Sequence, residues 1–113
     1  MNLQKSLKLS LLFEFYGKLL TQKQQDIFVE YYFNNMSLAE IAQSVEISRQ
    51  AVLDSLQNSE KQLLHFEEVL QLNKKFEAQK EQVNVLENKV KQDYNKQEIL
   101  LLLKNLLNTW EGE

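Results

Sequence analysis

Ser48-Arg49-Gln50 is followed one helical turn later by Leu53-Asp54. A serine at the head of a helix caps it, because its hydroxyl accepts from one of the first free amide hydrogens. Arginine and glutamine at the exposed start of such a helix are the side chains that grip guanine and adenine edges with paired hydrogen bonds. Ser48, Arg49, Gln50, Leu53 and Asp54 are therefore the candidate contacts to a nucleic acid or another partner. This chemistry is recognition rather than bond-breaking. His65-x-x-Glu68 could offer two metal ligands on one helix face, but no third ligand is near and the chain has no cysteine. Neither a metal nor another cofactor is expected. The single histidine has no serine partner that spacing identifies, and two glycines cannot build a phosphate-cradling loop. The expectation is a protein that is not an enzyme.

Charge weighs on the choice of partner. Across residues 37–64, Arg49 and Lys61 stand against Glu40, Glu46, Asp54 and Glu60, and the whole chain carries a formal charge of −3. A phosphate backbone asks for the opposite balance. The lysines lie elsewhere: Lys5, Lys8, Lys18 and Lys23 early in the chain, then Lys74, Lys75, Lys80, Lys89 and Lys91. They could form an RNA-facing patch, although such charges more commonly make a solvated helix face.

The candidate contacts need a rigid frame, and residues 37–57 supply one. They read Ser-Leu-Ala-Glu-Ile-Ala-Gln-Ser-Val-Glu-Ile-Ser-Arg-Gln-Ala-Val-Leu-Asp-Ser-Leu-Gln. Ser37 with Glu40 three residues on is a capping box. Leu38, Ile41, Ala42 and Val45 form the buried stripe of a short helix. Ala42 is small where two helices touch, Ile47 plugs the turn, and Val52 anchors the second helix. These are the requirements of a helix-turn-helix. At the turn position that is often glycine stands Glu46, which must adopt the left-handed backbone region unless the turn differs.

Around this frame the apolar spacing predicts only helices. The first covers 3–20, with Gly17 inside it, where the lack of a side chain either weakens the helix or lets another backbone approach closely, and close packing is the expectation. The second covers 22–33, opened by a Thr21–Gln24 capping box and closed by Asn34-Asn35. Phe13, Phe15, Tyr16, Phe28, Tyr31, Tyr32 and Phe33 recur at helical spacing, which favours a packed core over a base-stacking platform. After Ser48 no strong breaker appears before Asn73. A seam of coiled-coil type runs Val69, Leu72, Phe76, Gln79, Val83, Leu86, Val90. Asp93-Tyr94-Asn95 interrupts it, and a last helix covers about 97–110 with Ile99, Leu100, Leu103, Leu106, Leu107 and Trp110 apolar. The fold class is all-α, with a helix-turn-helix unit over 1–64 and a long helical C-terminal extension over 65–113. The absence of proline and near-absence of glycine speak against tight β-hairpins.

The extension carries more apolar surface than one amphipathic helix can hide, so a homodimer built on the C-terminal half is expected. The alternative is that the extension folds back on residues 3–33 of the same chain. No apolar run reaches the length of a membrane span, and no signal peptide is evident. The expected location is the cytoplasm.

Leu20-Thr21-Gln22-Lys23-Gln24, Tyr31-Tyr32 and the Ser37–Val52 stretch are similar to region four of bacterial sigma factors. The whole order more closely resembles the YlxM-like family of helix-turn-helix proteins. Its segments correspond to Leu12-Phe13-Glu14-Phe15-Tyr16, the Leu-Thr-x-Lys-Gln at 20–24, Tyr31-Tyr32, Ser37-Leu38-Ala39-Glu40-Ile41-Ala42, and Ser48-Arg49-Gln50-Ala51-Val52. The resemblance covers residues 9–64 and fades beyond. Where the family continues Tyr-Asp-Asn, this chain has Leu53-Asp54-Ser55, so no role of that tyrosine is carried over. Genes of the family commonly lie beside that for the signal recognition particle GTPase. The resemblance thus implies a regulatory or accessory factor of that targeting pathway, with nucleic acid (DNA or signal recognition particle RNA) or the GTPase as partner. The alternative is a DNA-binding transcriptional regulator; a purely structural oligomerisation protein is the third possibility.

Overall fold

The computed structural model describes residues 3–92 and 95–110. Among them are α1 (Leu3–Tyr16), a 3-10 turn (Gly17–Leu19), α2 (Gln22–Tyr32), α3 (Leu38–Val45), α4 (Arg49–Leu70), α5 (Leu72–Lys91) and α6 (Lys96–Trp110), and no strand. The fold is all-α. Asp93 and Tyr94, two of the three residues expected to break the last two helices, lie outside the described residues.

The first helix stops short of the expected Leu20. It tightens at Gly17, and Leu20 donates back to the Gly17 carbonyl at 3.1 Å. What approaches Gly17 is not another backbone but the Phe13 ring four residues earlier: a Cβ there would fall 2.9 Å from Cε2 of Phe13. The Phe13 ring in turn stacks on Phe28, with centroids 4.5 Å apart. Thr21 then opens α2 through a complete capping box. Its hydroxyl accepts from Gln24 N–H, and the Gln24 side chain accepts from Thr21 N–H. Asn35 closes the end of α2 at φ 55°, a left-handed angle that asparagine tolerates well.

The chain divides into two compact units, Met1–Leu70 and Gln71–Glu113. In the first, α4 is the spine, packing against α1, α2 and α3. Its inner stripe is Val52, Leu56, Ser59 and Leu63, all buried. Leu9, Leu12 and Tyr16 of α1 and Ile27 and Phe28 of α2 complete the core with Ile41 and Ala42 of α3. Each fully buried Leu, Ile or Val contributes about 1.5–3 kcal/mol. Two hydroxyl–carboxylate bonds fix the outer edge. Tyr16 donates to Glu67 at 2.6 Å, and Tyr32 donates to Glu60 at 2.9 Å. Glu60 also pairs with Lys5 at 3.4 Å. Burial, and then the bond to Glu60, push the Tyr32 hydroxyl well above the usual tyrosine range.

The helix expected to run on toward Asn73 ends at Leu70, because Gln71 takes φ 56°. The seam foreseen from Val69 is therefore interrupted: Val69 belongs to α4, and Leu72 starts a new helix. In the second unit α5 and α6 form an antiparallel hairpin. Thr109 donates to Gln82 at 3.0 Å and Lys89 pairs with Glu98 at 3.3 Å. Asn95 caps α6 by accepting from the amides of Gln97 and Glu98. Neither helix of the hairpin contains a buried residue. Among the described residues no helix is long and apolar enough to cross a membrane.

Candidate functional site

The helix-turn-helix is assembled from local chemistry. The Ser37 hydroxyl accepts from Glu40 N–H at 3.1 Å, and the Glu40 carboxylate accepts from Ser37 N–H at 2.9 Å. The backbone amide of Ser37, and then its hydroxyl, act on the Glu40 carboxylate and hold it below its ordinary pKa, since both favour the ionised form. Ile41 and Ala42 of α3 then pack on Val52 and Leu56 of α4 and on Ile27 of α2, with Leu38, Val45 and Ile47 half-buried around them. Ala42, Ile47 and Val52 thus occupy the places their sizes suggested.

Glu46 makes the turn at φ 59° and ψ 45°. A non-glycine residue carries the left-handed conformation, as its position required. The amides of Glu46 and Ile47 both donate to the Ala42 carbonyl, the latter at 3.1 Å. The six-residue closure from Ile47 is of the Schellman kind, which satisfies helix-end carbonyls. Ser48 follows directly, and its hydroxyl accepts from Ala51 N–H at 3.0 Å. Turn and cap together fix the direction in which α4 leaves.

That direction places the candidate contacts as follows. Ser48 is exposed, and its hydroxyl serves as the cap. Arg49 and Gln50 are exposed in the first turn of α4, Leu53 is half-buried, and Asp54 is exposed one turn on. The Gln50 amide donates to the Asp54 carboxylate at 2.9 Å. Arg49, Gln50 and Leu53 share with Leu38 of α3 the lining of a shallow depression of about 360 Å³. Three of the five candidates thus line one depression, and Asp54, bonded to Gln50, also lines the other flank.

On that flank lies a groove of about 460 Å³ between the start of α2 and α4. Asp54, Ser55, Asn58 and Gln62 line it from α4, and Thr21, Lys23 and Gln24 from α2. Sequence reasoning missed Asn58, Gln62 and Lys23 as members of this surface. The α4 residues were within reach, because 54, 58 and 62 repeat every four residues on one helix face. Lys23 comes from a distant stretch that no local pattern connects to α4.

His65 and Glu68 are both exposed on α4. Among the described residues no group of three or more histidine, aspartate or glutamate side chains is placed to hold a metal ion. The site is a capped helix start with the exposed Arg49 guanidinium and a shallow recess on either side.

Comparison with known proteins agrees with this arrangement. The sequence profile of the family described as "Putative helix-turn-helix protein, YlxM / p13 like" matches residues 3–103. The UPF0122 protein YlxM of Bacillus subtilis (strain 168) is 41% identical over 106 residues, covering 94% of this chain and 96% of that protein. A UPF0122 protein of Halalkalibacterium halodurans is 39% identical over 104 residues, covering 92% and 95% respectively. One from Limosilactobacillus reuteri (strain DSM 20016) is 36% identical over 113 residues, spanning both chains completely. With the motif seated as described and the match running through α1 to α6, the chain belongs to the YlxM / p13-like (UPF0122) helix-turn-helix family.

Proposed function

We propose that this protein is a non-enzymatic regulatory or accessory factor of the signal recognition particle pathway. It uses the α3–α4 motif to hold a nucleic-acid or protein partner, and it works in the cytoplasm as a homodimer. The observation that carries the binding role is the presentation of Arg49, exposed in the first turn of a helix whose direction is locked by the Glu46 turn and the Ser48 cap. The pathway assignment rests on the resemblance of the segments from Leu12 to Val52. Charge weighs against duplex DNA as the partner. The exposed start of α4 carries Asp54 as well as Arg49, and Glu40 and Glu46 stand on the adjoining helix and turn. A DNA backbone rewards runs of cations instead.

The test is recovery of the tagged full-length protein from a bacterial lysate, with identification of bound protein, RNA and DNA. Signal recognition particle RNA or its GTPase is the expected companion. Recovery of promoter DNA alone, without any targeting component, overturns the assignment in favour of a transcriptional regulator.

A further inference from the structure

The groove between the start of α2 and α4 has two kinds of polar lining. One kind is already engaged within the chain. Thr21 and Gln24 satisfy each other's backbone amides, and the Asp54 carboxylate accepts from Gln50. The other kind is free. Among the described residues, the side chains of Lys23, Asn58 and Gln62 have no hydrogen-bond or ion-pair partner, and all three line this groove.

The free groups stand in a definite order. Asn58 and Gln62 are one turn apart, about 6 Å along α4. They share the side of the helix on which Ala51 and Ser55 lie. Ile47 and Ala51, both half-buried, give the near end an apolar floor. Lys23 comes in from α2 and is exposed.

This set of groups matches the parts of a single nucleotide. Each carboxamide carries donors beside an acceptor, the pattern that pairs with an adenine edge. A carboxamide serves equally well for a ribose 2′-hydroxyl, which both donates and accepts. An unpaired base offers its edge together with an open ring face, and the ring face suits the apolar floor. A volume of about 460 Å³ lies within the range of small-ligand sites. Charge agrees, because one free cation suits one phosphate, whereas a duplex backbone rewards a run of them. A protein segment would ask for a pocket that takes a large apolar anchor. Here the apolar lining is confined to Ile47 and Ala51.

We propose that this groove holds one unpaired nucleotide of a folded RNA. Asn58 pairs with the base edge, Ile47 and Ala51 lie against the ring, Gln62 meets the 2′-hydroxyl, and the Lys23 ammonium meets the phosphate. This rests on the reading of α3–α4 as a partner-binding motif, and it adds a second contact beside Arg49 together with the class of ligand.

Three labelled RNA hairpins test it by fluorescence anisotropy with the full-length protein. One is fully paired, one carries a bulged adenosine, and one carries the same bulge as 2′-deoxyadenosine. The bulged hairpin should bind about tenfold tighter than the paired one, and the deoxy bulge should lose part of that gain. Asn58→Ala should remove most of the preference for the bulge. Gln62→Ala should remove the difference between the ribo and deoxy bulges. Lys23→Ala should lower the slope of affinity against salt by about one. Asn88→Ala, an exposed amide of α5, should change none of these. Helical circular dichroism should be the same for all the variants. Equal binding of the three hairpins overturns the nucleotide site and leaves α3–α4 standing as an RNA-binding motif. A bulge preference that survives both Asn58→Ala and Gln62→Ala puts the unpaired base elsewhere and overturns the site as well. Binding of no hairpin, with protein alone recovered from the lysate, assigns the motif to a protein partner; that result overturns this inference and leaves the accessory role intact.

Discussion

The Gln50 side chain donates a 2.9 Å hydrogen bond to the Asp54 carboxylate across one turn of α4. The bond spends the amide most suited to reading an adenine edge and keeps a negative charge at the site where a phosphate would approach. Asp54→Ala should release Gln50 and remove that charge, tightening binding of signal recognition particle RNA about three- to tenfold at low salt. Fluorescence anisotropy against a salt series measures it. Weaker binding would mean that Asp54 itself touches the ligand.

Arg49 is the only arginine of the chain and stands exposed where α4 begins. Arg49→Ala should cost about 1–3 kcal/mol of nucleic-acid affinity, read by the same titration. Affinity equal to wild type would take the start of α4 out of the interface and move attention to Lys23 and the groove beside it.

What could be read in the sequence was what is encoded within a few residues. The boxes at Thr21–Gln24 and Ser37–Glu40 formed because donor, acceptor and spacing sit in one turn. The left-handed Glu46 was foreseen because a helix-turn-helix needs that angle at that place. Gln71 adopts nearly the same φ, 56° against 59°, yet no glycine, proline or asparagine stands at the position itself, and the nearest breaker, Asn73, lies two residues on. The unseen parts of the site have the same cause. Lys23 reaches the α4 surface through the packing of Ile27 on Val52, a long-range consequence that no local spacing records.

The turn at Glu46 also offers a stability test. A side chain at that angle costs about 1 kcal/mol that glycine avoids. Glu46→Gly should raise the stability of the first unit by about 0.5–1 kcal/mol, after the greater flexibility of glycine in the unfolded chain is set against it. Thermal unfolding followed by circular dichroism should show a higher midpoint, by roughly 3 °C. A lower midpoint would show that the Glu46 side chain makes a contact worth more than the strain.

Glu40 gives the motif a defined dependence on pH. The backbone amide and then the hydroxyl of Ser37 act on its carboxylate and hold its pKa below the ordinary value of 4.5. The folded value is the lower of the two, so folding favours the ionised carboxylate. The stabilisation is complete above 4.5 and is lost as the pH falls through the depressed folded value. The first turn of α3 should therefore loosen in acid while staying insensitive to pH near neutrality. Carboxyl carbon shifts in an NMR titration give the Glu40 pKa directly, and a value at or above 4.5 would refute the assignment. Glu40→Gln supplies the discriminating control, because an amide oxygen can still accept from Ser37 N–H but does not titrate. That variant should keep α3 capped and flatten the acid dependence of its amide protection. If both proteins lose protection over the same pH range, the acid sensitivity belongs to another group and not to the cap.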